Sequence, residues 1–462
     1  MGFILINRTA FVLLNMLFRL YTFRVVFLIA VLLACVGLTP SLLRALEMNN
    51  SLEVWFLEDA PALKVYRDFQ AHFGSDEVII MIYHDEAGII THQSLNRLAA
   101  VTAALDSLPD VANVYGLANV RLIERTPVGL RSSFLLDSLG PMEDRLATYP
   151  WLEEHFLNKD HTATRLLIQL KADSQLDTRR GQIIQEIRKV SETHLPRPSV
   201  ALGGVGVIFE GLNEVSLTEF SKFLGLAYLV MFLLLIFLYR NAYIVILAIG
   251  VITLASYITQ GFYGLAGLRL NMMSTLIPVI LTLLGLIDVI HIVNERAHLA
   301  QASEDNLRKA LTALKSVWRP CLFTTLTTMA GFLSLLLTPM PILRQFGLFS
   351  AIGVFLCLIF SYLLGVFFLP RVTQLKRFNL STAGLWTALY RRRMGLGIAA
   401  GLLTVLSLAG LSKIKVDTYT LGYLPESHRV VQDHNQILEH WGDYMPLDFL
   451  IKVPDSTSVF QG

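Results

Sequence analysis

The chain has 462 residues, of which 54% are hydrophobic and 16% are charged, and its mean hydropathy is +0.55. Soluble domains are about 45–50% apolar and about 25% charged, so this composition predicts a membrane protein. The formal net charge of +2 gives no reason to expect a nucleic-acid partner. The three cysteines, Cys35, Cys321 and Cys357, all lie in apolar segments, which excludes a disulfide framework in the polar regions.

Seven apolar segments are each long enough, at about 20 residues, to cross a bilayer. They are 24–43, 220–239, 243–265, 272–293, 321–338, 347–369 and 394–412. The connections 294–319 and 371–393 are rich in Arg and Lys, whereas the connections on the other side carry one Arg each. By the positive-inside rule the basic connections face the cytoplasm, so we expect a cytoplasmic N-terminus and two extracytoplasmic polar regions.

The organisation of the rest of the chain follows from these spans. We expect an amphipathic cytoplasmic lead-in at 1–23, an extracytoplasmic domain at 44–218, a five-span core at 219–370, a basic cytoplasmic linker at 371–393 and the start of a second extracytoplasmic domain at 413–462.

The region 44–218 has a mixed pattern of strands and helices. Strands are predicted at 77–83, 111–117, 163–171 and 199–202, and helices at 65–73, 94–108 and 178–193, with Thr91 as a helix cap. A loop-rich insertion containing Pro127, Pro141 and Pro150 separates the second strand from the third. After the first helix, the order is β-α-β, insertion, β-α-β, which predicts an α+β ferredoxin-like domain.

The sequence begins to repeat near residue 390. FLEDAPALKVYRDFQAHFG at 56–74 matches LPESHRVVQDHNQILEHWG at 424–442, and both matched segments follow an apolar span. A repeat of one span, one large polar domain and five further spans is typical of transporters. The second copy reaches only its first part by residue 462, so we expect either a fragment of a protein nearly twice as long or a truncated product.

Asp288 is a lone carboxyl group in the apolar run of the fourth span, which is costly and therefore suggests a functional site. One hypothesis is a protonatable switch, because a carboxyl group at low dielectric can bind and release a proton near neutral pH. The other is a hydrogen bond that fixes helix packing. His291 lies on the same broad helix face, either as a relay partner of Asp288 or near the lipid headgroups, and Glu295 is expected at the interface.

The fifth span carries small, mostly hydroxylated residues at heptad spacing, which is typical of a close-packing seam between membrane helices. The seam residues are Thr324, Thr327, Gly331, Ser334 and Thr338. Thr324 and Thr328 are also candidates for hydrogen bonds toward Asp288 or for lining a water path. Pro278 and Pro320 are expected to mark a local helix break and a helix start, respectively.

No catalytic constellation is present in the sequence. The histidines of the extracytoplasmic domain, His72, His84, His92, His155 and His161, lack metal-ligand spacing. There is no nucleophile elbow and no phosphate-binding Gly loop, and we expect Gly203-Gly204-Val205-Gly206 to end a strand near the membrane. We therefore expect no enzyme activity, no metal and no cofactor, and an ion gradient acting through Asp288 is the available energy source.

Several motifs together resemble the resistance-nodulation-division superfamily, and within it exporters of the MMPL and sterol-sensing type. They are Gly285, Asp288 and His291 in the fourth span, RPCLFTTLTTMAGFLSLLL at 319–337, ILRQFGLFSAIG at 342–353 and Leu369-Pro370. The resemblance implies a proton-driven exporter of the bacterial inner membrane with a twelve-span core. It also implies porter-type extracytoplasmic domains that take up lipids or other hydrophobic cargo.

Two departures from the family pattern limit this interpretation. Val289 follows Asp288 where many relatives have an aromatic residue, and the second-half spans are not present. A second half-transporter or a homo-oligomer is therefore an expected partner. The alternatives are a lipid- or sterol-sensing regulatory module and a protein-export accessory subunit; an exporter needs Asp288 to titrate, whereas a sensor does not.

Overall fold

The computed structural model describes residues 19, 21–50, 57, 60–73, 77–126, 129–137, 142–171, 176–196, 199–299, 305–372, 383–411, 413–414 and 420–444. Most of the lead-in expected at 1–23 lies outside the described residues. So do the middle of the basic linker and the last part of the second extracytoplasmic domain.

Helices make up most of the described chain. The helices are α1 (Arg24–Ala45), α2 (Pro61–Phe73), α3 (His92–Asp106), α4 (Met142–Thr148), α5 (Pro150–Phe156), α6 (Leu176–His194), α7 (Val205–Tyr239), α8 (Ala242–Leu265), α9 (Ile277–His298), α10 (Asn306–Leu333), α11 (Pro341–Phe368), α12 (Ala383–Arg391), α13 (Arg393–Leu411) and α14 (Arg429–His440). The strands are β1 (Val78–His84), β2 (Val111–Tyr115), β3 (Arg121–Thr126), β4 (Gly129–Phe134), β5 (Ala163–Leu170) and β6 (Val200–Gly203).

Among the described residues, seven helices are long and apolar enough to span a membrane, namely α1, α7, α8, α9, α10, α11 and α13. This confirms the predicted membrane bundle of about seven spans. Two of them begin well before the apolar segment. α7 runs without interruption from the end of β6, and α10 starts at Asn306 because Ala310, Leu311 and Leu314 are buried against the bundle.

The roles predicted for the two prolines are wrong. Pro320 lies inside α10 rather than at its start, and Pro278 lies in the first turn of α9 rather than at a break. Membrane helices tolerate an internal proline because neighbouring groups can satisfy the freed carbonyl. The packing of residues 306–319 thus decides where α10 begins.

α11 lies at the centre of the membrane bundle and packs against α8, α9 and α10. α1 packs along α8, where a Cβ atom on Gly264 would collide with the backbone carbonyl of Ser41. By contrast, no residue of α13 is buried. The repeat predicts that α13 corresponds to α1. Because α1 packs along α8 and α13 buries no residue, the described chain contains no comparable packing partner for α13.

The four-stranded sheet has the order β2-β5-β1-β6, and all its neighbouring strands are antiparallel. With α3 joining β1 to β2 and α6 joining β5 to β6, this is the strand order of a ferredoxin-like split βαβ domain. Thr91 caps α3, as predicted, and its hydroxyl accepts a hydrogen bond from the Ser94 amide.

The insertion between β2 and β5 is more regular than the predicted loop. β3 and β4 form a separate hairpin, and α4 and α5 follow it. The three prolines were a signal for turns, but proline is also favoured in the first turn of a helix, and Pro150 occupies that position in α5.

Both faces of the sheet are covered. Ile79, Met81 and Tyr83 of β1 belong to the core under α3 and α6, whereas Ile80 and Ile82 pack in a second core with Ile437 of α14 and Tyr444. The sequence repeat predicts that α14 belongs to a second domain copy. Helix α14 covers the face of the sheet that α3 and α6 leave open.

A buried ion pair fixes this docked helix. Arg188 of α6 lies 2.6 Å from the Asp433 carboxylate, which also accepts a hydrogen bond from the Leu202 amide. A Cβ atom on Gly203 would collide with Tyr444 and Ile437, so the end of β6 allows close approach only because it is glycine. Together these contacts tie residues 429–444 to the first-repeat domain.

Candidate functional site

Asp288 lies on the buried face of α9, between helices α10 and α11. Its neighbours on this face are Gly285, Val289 and Ile292, and only 6% of Asp288 is exposed. A Cβ atom on Gly285 would lie 3.1 Å from the Cys357 sulfur, so glycine at this position keeps α9 close to α11. No ion pair joins Asp288 to a cation anywhere in the part of the chain that the structure describes.

The polar groups nearest to Asp288 come from the two neighbouring spans. The Cys321 thiol of α10 and the Tyr362 hydroxyl of α11 lie in this region, and the buried Tyr362 hydroxyl has no hydrogen-bond partner in the described chain. Cys357 of α11 lies close by, but its thiol points to the Leu281 carbonyl oxygen, 3.8 Å away. The site thus lies between three spans, with one acidic group among apolar and weakly polar side chains.

The structure does not bring His291 together with Asp288. His291 is exposed on α9, whereas Asp288 is buried. Glu295, expected at the interface, accepts a hydrogen bond from the Ser316 hydroxyl at 2.7 Å. Within the described chain, His291 therefore faces away from the carboxyl group it was expected to serve.

The hydroxyl seam of α10 is also not the packing partner of Asp288. Thr324, Thr327, Gly331 and Ser334 are exposed, Thr328 is half-buried, and a Cβ atom on Gly331 would meet no atom within 4 Å. The hydroxyl groups donate to carbonyl oxygens of their own helix, so none bonds Asp288. This corrects the predicted bond from Thr324 and Thr328, because the rotation of α10 turns Cys321 and Thr325 inward instead.

The sequence model of the MMPL family matches residues 57–393, which include the ferredoxin-like domain and all the spans around Asp288. The chain belongs to the MMPL family. A curated relative from Methanocaldococcus jannaschii, whose name describes it only as a membrane protein, is 21% identical over 327 residues, covering 68% of this chain and 82% of its own length. The MMPL family consists of membrane transporters of hydrophobic compounds rather than enzymes.

Two residues near Asp288 in this MMPL protein were not predicted from the sequence. Cys321 looks like an ordinary apolar residue, and Tyr362 is far from Asp288 along the chain and on a different span. The available signal was helical spacing: Cys321 lies one turn before Thr325, and both are buried. Cys321 and Thr325 therefore lie on the buried face of α10, whereas the hydroxyl residues Thr324 and Thr327 lie on its exposed face.

The ferredoxin-like domain of this MMPL protein contains no group of three or more His, Cys, Asp or Glu residues that could hold a metal among its described residues. His84 instead stacks on His440 of α14, with 3.9 Å between ring centroids. His161 lies 2.6 Å from the Glu153 carboxylate. These histidines therefore serve contacts within the domain and with the docked helix.

Proposed function

We propose that this protein is a proton-driven secondary active exporter of lipids or other hydrophobic compounds, and that the chain supplies one half of the transporter. The observation that carries the proposal is Asp288, a carboxyl group nine-tenths buried within the bundle and without a paired cation in the described chain. An unpaired buried carboxylate is costly, whereas the neutral acid is tolerated. Protonation therefore changes the balance of forces between α9, α10 and α11.

The exposed faces of α9 and α10 support a half-transporter. His291 and the seam residues Thr327, Gly331 and Ser334 lie on the outside of the described bundle. Small residues allow membrane helices to approach closely, so this surface fits further helices better than it fits lipid chains. A second half-transporter or a second copy of the chain is the partner we propose for it.

The orientation follows from the charges at the two ends of the bundle. The basic connections at one end favour the cytoplasmic side of a bacterial inner membrane, which supports a position of the ferredoxin-like domain on the outer side. The long helix α7 connects that domain directly to the bundle. This arrangement suits the transfer of hydrophobic cargo from the membrane to the outside.

Substitution of Asp288 tests the proposal. The protein is reconstituted in liposomes with a pH gradient, and export of a fluorescent phospholipid analogue is measured together with proton movement. Asp288→Asn is expected to abolish both, because an amide cannot bind and release the proton. Glu295→Gln, a matched loss of a carboxyl group on the same helix, is expected to leave both unchanged. Gradient-driven export by Asp288→Asn at the rate of the unsubstituted protein would contradict the proton switch and would favour a sensing module instead.

A further inference from the structure

A buried asparagine joins the early part of α7 to the connection that enters α9. Asn50 follows α1, and its Nδ2 donates a hydrogen bond to Oδ1 of Asn213 in α7 at 2.9 Å. Its Oδ1 accepts a hydrogen bond from the Met272 amide at 2.8 Å. Asn50 is 1% exposed and Asn213 is 7% exposed, so bulk water has little access to either bond. One side chain thus bridges α7 and the residues just before α9.

The connection 270–276 is itself fixed to the neighbouring spans. The Asn271 side-chain carbonyl accepts a hydrogen bond from the Ser274 amide at 2.9 Å, at the entry to α9. Its Nδ2 donates to the Tyr263 hydroxyl of α8 at 3.3 Å, and that hydroxyl donates to Oε1 of Gln345 in α11 at 3.0 Å. Asn271, Ser274 and Tyr263 are each 1% exposed. The connection and the adjoining ends of α8, α9 and α11 therefore form one hydrogen-bonded unit.

The chain after α1 is bonded to this unit through its backbone. The Leu270 amide donates a hydrogen bond to the Ala45 carbonyl oxygen at 2.8 Å, and the Asn49 amide donates to the Leu270 carbonyl oxygen at 2.8 Å. The Asn50 side chain extends this pairing to α7. A buried amide that loses its partner carries a desolvation penalty, so the Asn50 side chain opposes sliding of α7 against the connection.

The bridge lies between Asp288 and the ferredoxin-like domain. Asp288 is about 16 Å along α9 from the first residue of that helix, Ile277. On the other side of the bridge, Asn213 is about 12 Å along α7 from Val205, which follows the end of β6. A displacement of α9 therefore reaches the sheet through residues that are directly bonded to one another.

We propose that Asn50 couples the position of α9 to the position of α7, so that the protonation state of Asp288 reaches the ferredoxin-like domain. This inference rests on the proposed function, in which the packing of α9 depends on whether Asp288 is protonated. Asn50 is then a positioning residue, which acts through Met272 and Asn213. Its loss is expected to uncouple proton movement from export rather than to stop both.

The ratio of lipid exported to protons moved tests this coupling. Both quantities are measured for the whole protein in liposomes with a pH gradient, with the fluorescent phospholipid analogue as cargo. Asn50→Ala and Asn213→Ala are expected to lower the ratio by about 2- to 30-fold, as weakened coupling does. A variant that only folds less well loses both activities in proportion, so its ratio stays the same. Asn213→Ala leaves the bond between Asn50 and Met272 intact, and it decides the question if Asn50→Ala does not fold.

Asn113→Ala is the control, because the exposed Asn113 side chain donates to Oε1 of Gln169 within the sheet, at 3.2 Å, and takes no part in the bridge. Its ratio is expected to equal that of the unsubstituted protein. An unchanged ratio in Asn50→Ala and Asn213→Ala, with rates that are normal or reduced in proportion, overturns the coupling and leaves the proposed function standing. Gradient-driven export by Asp288→Asn at the rate of the unsubstituted protein contradicts the proposed function and this inference together.

Discussion

In the proposed function, a single carboxyl group controls how this bundle responds to its surroundings. Asp288 is enclosed by apolar side chains, a glycine and two thiols, and no cation of the described chain compensates its charge. In such surroundings the neutral acid is favoured, because a buried charge without a partner is costly. Ionisation of Asp288 therefore requires water or a rearrangement of neighbouring groups. Chemistry at one residue is thereby linked to the separation of three helices.

A second buried carboxyl group differs from Asp288 because a cation is paired with it. Asp433 is paired with Arg188 at 2.6 Å, and both side chains are largely buried. Removal of one partner of a buried pair leaves the other charge uncompensated and costs about 3–5 kcal/mol. We therefore expect Asp433→Ala to release α14 from the sheet, seen as fast hydrogen exchange of the α14 amides.

The exposed pair of Lys222 and Glu219, 2.9 Å apart, provides the control. Exposed pairs contribute about 0–1 kcal/mol, so Lys222→Ala is expected to leave exchange in α14 unchanged. Protection of α14 in Asp433→Ala equal to that in the unsubstituted protein would show that the apolar contacts of Ile437 and Tyr444 are sufficient.

At the scale of the helix, the docking of α14 is expected to depend on pH. Burial lowers the pKa of His84, with a further contribution from His440, which stacks on it. Burial also lowers the pKa of His434, whose Nδ1 lies 2.9 Å from the Tyr444 hydroxyl. Because both pKa values are lower in the docked state, the released state binds protons first as the pH falls.

The contribution of these histidines to the stability of the docked α14 is thus fully present above a pH of about 6.5. It declines as the pH falls from there to the lowered pKa values of the docked state. Asp85, Glu86 and Glu439 surround His84 and favour its charged form, which limits the effect without reversing it. Hydrogen exchange of α14, corrected for the intrinsic pH dependence, is expected to be faster at pH 5.5 than at pH 7.5. His84→Gln should reduce this difference, and an equal difference in both proteins would exclude His84 as its source.

The contact between α1 and α8 depends on a small side chain at one position. Gly264→Ala places a methyl group against the Ser41 carbonyl, and such overpacking costs about 1–3 kcal/mol. A lower thermal unfolding temperature in detergent is the expected result. Gly225→Ala in α7 is the control, since its Cβ atom meets open space and alanine favours a helix by about 1 kcal/mol. A decrease of equal size in both variants would point to a general effect of losing glycine.

The elements that the sequence predicted well are those with a strong local pattern. The seven apolar segments, the β-α-β order and the Thr91 cap each depend on neighbouring residues. The failures concern rotation and tertiary packing. Which side of α10 faces Asp288 depends on how α9 and α11 contact it, so Thr324 and Cys321 could not be ranked from spacing alone. The contact of α14 with β1 joins residues far apart in the chain, and only the structure shows it.

For the whole molecule, the charge distribution predicts one orientation in the membrane. Ser132 of β4 and Arg308 of α10 are both exposed. Ser132 lies in the ferredoxin-like domain, which is joined to the start of α7, whereas Arg308 follows the basic connection between α9 and α10. Cysteine introduced at Ser132 is expected to react with a membrane-impermeant maleimide on intact cells, whereas cysteine at Arg308 should react only after permeabilisation. The reverse pattern would invert the proposed direction of transport.

The continuity of α7 has a mechanical consequence. Its 35 residues form a helix about 52 Å long. The helix begins just after β6, a strand of the sheet in the ferredoxin-like domain. Gly204, with φ of 118°, is the joint between strand and helix. A tilt of only about 10° within the bilayer would swing the far end by about 9 Å for a helix of this length. We therefore expect that a small change in the gaps between the spans would displace the start of α7, where it joins the ferredoxin-like domain, by a distance of this order.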